Sequence, residues 1–146
     1  MLHIRLESAP DDFLLLSPLN PLEELLDYRT GSKRIHWLSC RTCGGRCIIF
    51  AGDGEEVEAD LGELGVEGEE KGKMVKAWKP KAEGWEESAR KGSYLSVNGY
   101  TLDADQKGLD PREWVDNKTM MYLDFLHQEK GRDEYEFGGP CAGGSY

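Results

Sequence analysis

The chain has 146 residues, enough for one domain of ordinary size and too few for two independent ones, and 32% of them are charged against 38% hydrophobic. Its longest apolar runs, residues 13–16 and 47–51, fall far below the roughly 18 residues that a membrane-crossing helix needs, so no membrane span is expected. Eighteen Lys and Arg against 28 Asp and Glu leave a net charge of −10, which opposes nonspecific attraction to nucleic acid or anionic lipid, and neither is expected as a partner.

The acidity is uneven. Residues 53–70 hold nine acidic side chains and no base, whereas residues 71–91 hold seven bases against three acids. Four Trp, six Tyr and four Phe supply bulk for a single core, and a domain near this length buries about 68–70% of the surface its unfolded chain exposes. Near the N-terminus stand Glu7, Asp11 and Asp12, where a secretory signal needs a basic start and an unbroken apolar stretch. That predicts an intracellular, cytoplasmic protein. In such a compartment four cysteines, three of them within eight residues, read as metal ligands or free thiols before disulfides.

Eighteen Gly and six Pro cut the chain into short segments, and no helical periodicity runs beyond about three turns, so the fold class is mainly β. In chain order, the first strand expected covers residues 35–40, with Ile35, Trp37 and Ser39 facing one way and His36, Leu38 and Cys40 the other. Residues 47–50 leave the cysteine cluster as a second strand. Val57, Ala59 and Leu61 alternate with Glu56, Glu58 and Asp60, the pattern of a strand with one buried and one solvated face. The lysines of residues 71–81 read as the solvated face of the next strand, 74–78, paired with that acidic one rather than as a nucleic-acid surface. Residues 94–102 follow, bent or bulged at Asn98-Gly99. Asp110-Pro111 predicts the start of one short helix, with Asp as N-cap and Pro at the first helical position. Residues 119–126 return to strand character, and the Gly-rich segment 138–144 reads as an irregular tail on the surface.

The strongest chemical signal is Cys40-Arg41-Thr42-Cys43-Gly44-Gly45, two thiols two residues apart at a strand end, followed by glycines. This is zinc-knuckle spacing. It lets both sulfurs face one ion while glycine supplies the left-handed backbone that turns amide hydrogens toward the thiolates. A structural Zn²⁺ takes four ligands and one C-x-x-C supplies two, so a reduced thiol pair in a turn remains the competing reading. Redox use is disfavoured, because that chemistry wants the first Cys at a helix N-terminus and here a strand follows. Local completion would need His36 and Cys47, as H-x3-C-x2-C-x3-C, but Cys47 precedes Ile48-Ile49-Phe50 and reads more simply as a buried thiol. Cys141 lies about a hundred residues away in the tail and reads as an unliganded thiol. His3, His36 and His127 stand in separate segments, none with a carboxylate at helical spacing. Gly52-Asp53-Gly54-Glu55 lacks the third glycine and following helix of a phosphate loop, and the acidic block does not match a calcium-binding EF-hand loop.

Together these residues resemble a family. Residues 22–50, with Asp27-Tyr28-Arg29, Gly31-Ser32-Lys33 and Trp37-Leu38-Ser39-Cys40-Arg41-Thr42-Cys43-Gly44, look like the second zinc knuckle of the CENP-V/GFA domain family, the glutathione-dependent formaldehyde-activating enzymes and their relatives. Trp78-Lys79-Pro80, Gly84-Trp85, residues 94–103, residues 109–114 and the Gly-rich end resemble its fungal members, so the resemblance covers most of the chain. It implies a single domain over residues 1–146, with an Mss4-like arrangement of small coiled antiparallel sheets. It also implies a structural zinc held by an early C-x-C pair and a later C-x-x-C pair, to which Cys40 and Cys43 correspond. The family's catalytic zinc sits on a separate early C-x-C-x-x-C trio, and neither early motif has a counterpart here. The resemblance therefore implies a relative of zinc-dependent carbon-sulfur lyases acting on glutathione adducts of small aldehydes, with no catalytic zinc site in this chain and a start at Met1 that falls short of the early ligands. The other reading is a non-catalytic β-module, zinc-binding or metal-free, that contacts a protein partner.

Overall fold

A computed structural model describes residues 2–6, 8–64, 72–83, 85, 92–103, 109–118, 120–124, 135–137 and 144–145, with the backbone alone at residue 111 and from residue 121 onward. Backbone contacts group the chain into two units, His3–Gly99 and a second made of Met1–Leu2 with Tyr100–Tyr146. The fold is mainly β, as the sequence predicts, and its sheets are small and antiparallel.

In the first unit, strands β1 (His3–Arg5), β2 (Leu26–Arg29), β3 (His36–Ser39), β4 (Arg46–Ala51) and β7 (Tyr94–Asn98) form one sheet in the order β1-β7-β4-β3-β2. Strands β5 (Gly54–Asp60) and β6 (Met74–Pro80) form a separate two-stranded ribbon. The centre of the large sheet is β4, whose Ile48-Ile49-Phe50-Ala51 run is buried on both faces, the habit of a strand with neighbours on each side. Register sets Leu38, Ile48 and Val97 in one row and His36, Phe50 and Leu95 in the next. Leu38, Phe50 and Leu95 are fully buried there, packed with Ala9 and Trp78. Trp78 ties the ribbon to this core: its ring meets Phe50 edge-on at 5.1 Å, and its backbone exchanges two 2.8 Å hydrogen bonds with Leu15.

The acidic and basic stretches pair as the sequence predicts. Glu58 stands opposite Lys76, and Lys76 Nζ reaches diagonally to Glu56 Oε1 at 2.6 Å. The strand expected over residues 94–102 stops at Asn98, and Gly99–Thr101 turns as a 3₁₀ helix. Two one-turn helices, α1 (Ala9–Asp12) and α2 (Pro21–Glu24), add to the single one expected. Each carries Pro in its first turn, where a fixed φ favours the helix and the missing N–H has no intrahelical partner to lose.

The second unit holds α3 (Pro111–Asp116) and a sheet β10-β8-β9 built from β8 (Met121–Asp124), β9 (Tyr135–Phe137) and β10 (Gly144–Ser145). The predicted N-cap is present. Asp110 has extended backbone, its carboxylate accepts from the Arg112 N–H at 3.0 Å, and the Arg112 guanidinium clasps it at 2.6 Å. That clasp holds the Asp110 carboxyl down at about 2. Of the segment 138–144 expected as an irregular tail, residues 138–143 lie outside the described residues, and Gly144, with Ser145, pairs with β8. Cys141 and His127 lie outside the described residues. Among the described residues no helix is long and apolar enough to cross a membrane.

Candidate metal centre

The cysteine pair occupies the tip of the β3–β4 hairpin, directly after Ser39 and before Arg46. Pairing slips between Leu38 and Ser39, so the ladder opens as the chain enters the turn. The turn closes with Cys40 N–H donating to Gly45 O at 2.8 Å and Gly44 N–H donating to Cys40 O at 2.9 Å. Gly44 has φ +70°, the left-handed conformation that glycine adopts without a Cβ clash.

That backbone path turns amide hydrogens onto both sulfurs. Thr42 N–H donates to Cys40 Sγ and Gly45 N–H to Cys43 Sγ, each at 3.4 Å and each from two residues downstream. The second glycine leaves room for the sulfur: a Cβ at Gly45 would stand 3.2 Å from Cys43 Sγ, which would have to give by a few tenths of an ångström. Hydrogen bonds from Cys43 and Thr42 bring the Cys40 thiol below its ordinary value, favouring the thiolate that a metal needs. Cys43 is exposed and Cys40 partly so. Two thiols on one turn, each with an amide donor, are of the kind zinc takes, and they would supply two of the four ligands that a structural site needs.

Arg41 fixes this turn to the body of the unit. Its side chain reaches back to the end of α2, donating from Nε to Glu24 O at 2.6 Å and from Nη2 to Glu23 O at 2.8 Å and Leu25 O at 3.3 Å. Carbonyls at the end of a helix lack intrahelical donors, so one guanidinium satisfies several at once. Nothing in the sequence marks Arg41 for this task, because the contact spans 16 to 18 residues.

The local completion weighed from sequence does not assemble. His36 Nδ1 lies 3.0 Å from Asp27 Oδ2, which also accepts from Arg29 Nε at 2.7 Å. Burial works to raise the Asp27 carboxyl, but the hydrogen bonds from Arg29 and His36 outweigh it and hold the group below its usual value. The other carboxylate oxygen of Asp27 is buried without a partner, as is Trp37 Nε1. Cys47, read from sequence as a buried thiol, is only partly buried; its thiol turns to Gly45 O at 3.4 Å, and burial, then the neighbouring sulfurs, push it up. His3 sits 3.3 Å from Ser96 Oγ on β7. Among the described residues no group of three His, Cys, Asp or Glu side chains is placed to hold one metal ion.

Comparison of the chain with protein-family models, with curated proteins and with solved structures gives no match.

Proposed function

We propose that this chain is a CENP-V/GFA-like β-domain in which Cys40 and Cys43 furnish half of a structural zinc site. The observation that carries the reading is the turn itself: two sulfurs, each receiving an amide N–H from two residues downstream, across a left-handed Gly44. A reduced thiol pair in an ordinary turn has no need of that arrangement, whereas a thiolate pair bound to a divalent cation does. A bound structural zinc would lock the β3–β4 tip by cross-linking it to the remaining donors, an energy of folding as much as of binding. Arg41, pinned on α2, orients the turn, and Gly45 leaves room for the Cys43 sulfur.

On this reading the chain is cytoplasmic and related to zinc-dependent carbon-sulfur lyases that act on glutathione adducts of small aldehydes. It carries no counterpart of the family's catalytic trio, so the residues present serve as scaffold and structural site and do not turn over such an adduct by themselves. A protein partner, rather than nucleic acid or membrane, is the macromolecule its acidic surface accommodates.

The test is metal analysis of the reduced, purified chain with and without Cys40→Ala and Cys43→Ala. Zinc retained through dialysis by the parent and lost from both variants is the expected result. A folded, fully reduced parent that binds no zinc overturns the reading.

A further inference from the structure

Zinc needs four donors, and among the described residues no third His, Cys, Asp or Glu is grouped with the two thiols of the C-x-x-C turn to hold one ion. The remaining described cysteine and histidines are already engaged: Cys47 at Gly45 O, His36 at Asp27 and His3 at Ser96. The turn, by contrast, is presented outward, with Arg41, Thr42, Cys43 and Gly44 all exposed. We infer that the cation is shared between two copies of this chain, each contributing Cys40 and Cys43 to one zinc tetrathiolate on a two-fold axis. This deepens the zinc reading above and rests on it.

The geometry and the charge of the hairpin tip both suit such a joint. A two-fold interface needs one surface that complements itself, and a four-coordinate ion lying on the two-fold axis takes two symmetry-related pairs of ligands, so a single exposed C-x-x-C turn meets both requirements with its own copy. Four thiolates on one Zn²⁺ carry a net charge of −2, and two copies of a chain with net charge −10 would repel. The tip offsets this locally. Residues 40–47 contain Arg41 and Arg46 and no acidic residue. The Arg41 guanidinium is bound to backbone carbonyls rather than to a carboxylate, so its positive charge is not cancelled by an ion pair there. Arg46 lies over the Trp37 ring at 4.6 Å, a contact that leaves its positive charge in place. Much of the acidity that would oppose approach is held elsewhere, nine acidic residues falling within 53–70. Cys47 borders the turn and takes no part, its thiol being turned to Gly45 O.

The experiment is a titration of the full, reduced chain with Zn²⁺, followed by light scattering after gel filtration and by native mass spectrometry, and repeated with Co²⁺ for its optical spectrum. Expected are one zinc per two chains, a species of twice the 16.4 kDa chain mass, return to the monomer on chelation, and an intense sulfur-to-cobalt charge-transfer band. Cys43→Ala, an exposed position, should abolish the dimer while leaving the far-ultraviolet circular dichroism of the metal-free chain unchanged. One zinc per monomer, lost in Cys141→Ala or His127→Ala, would overturn the shared site while leaving the structural-zinc reading intact. A dimer that survives chelation also overturns it. No zinc bound to the folded, reduced chain overturns both.

Discussion

Arg41→Ala separates two properties that the hairpin tip joins, the anchoring of the turn and its readiness for metal. The guanidinium makes two contacts of good length, 2.6 and 2.8 Å, and a longer one at 3.3 Å, all to carbonyls at the end of α2. A net value of about 0.5–1.5 kcal/mol for each good hydrogen bond, discounted for the exposure of the side chain and with the long contact neglected, gives a loss of about 1–2 kcal/mol. With a urea slope of about 2 kcal/mol per molar, the unfolding midpoint of the metal-free chain should fall by roughly 0.5–1 M. Zinc affinity should fall further, because Thr42, Cys43 and Gly44 are no longer ordered before the ion arrives; about 1.4 kcal/mol of added ordering corresponds to roughly tenfold. Arg41→Lys, which keeps the charge and loses the planar fork, should recover only part of either effect. Urea unfolding followed by tryptophan fluorescence reads the first quantity, and competition with a chromophoric chelator reads the second. A midpoint and an affinity both unchanged in Arg41→Ala would refute the idea that this side chain holds the turn.

Three further outcomes follow from the packing and the ion pairs. Phe50→Ala removes a fully buried ring that touches Trp78 at the joint between sheet and ribbon, and should destabilise the chain by ~3–5 kcal/mol in denaturant unfolding. Gly54→Ala would drive a Cβ into the buried Trp78 indole, so its thermal midpoint should drop by more than that of Gly31→Ala, which meets nothing within 4 Å and adds only the strain of a φ of +34°. The Asp27 carboxyl is held below its ordinary value, so its contribution to stability is fully present above the unfolded-state value of about 3.9 and is lost as pH falls through the folded value. Asp27→Asn should therefore flatten the acid limb of the stability profile below about pH 4, and an unaltered limb would show that the Arg29 and His36 contacts do not form in solution.

The elements visible in the sequence are those whose side chains alternate or cluster. The Glu56–Asp60 alternation announced β5, the apolar run after Cys47 announced β4, and Asp110-Pro111 announced the cap of α3. The edge strands β1 and β2 were not legible, because three or four partly exposed residues leave no periodic signature and are defined by the neighbour they pair with. The same reason hid the partner of His36. Once Leu26–Arg29 pairs with His36–Ser39, Arg29 stands opposite His36 and Asp27 is its diagonal neighbour, a relation that local carboxylate spacing could not reveal. β10 escaped because a Gly-rich end has little intrinsic strand preference, and only pairing to β8 fixes it. At the cysteine turn the sequence named both thiols and the glycine conformation, since these are set by local spacing. The anchoring by Arg41 depends on where α2 lies in space.

Zinc binding by Cys40 and Cys43 is tested most directly by X-ray absorption at the zinc edge on the purified chain. Expected is a shell containing sulfur at about 2.3 Å that disappears when both cysteines are replaced by alanine. A shell of nitrogen and oxygen alone, or a sulfur shell that survives the double replacement, would contradict it.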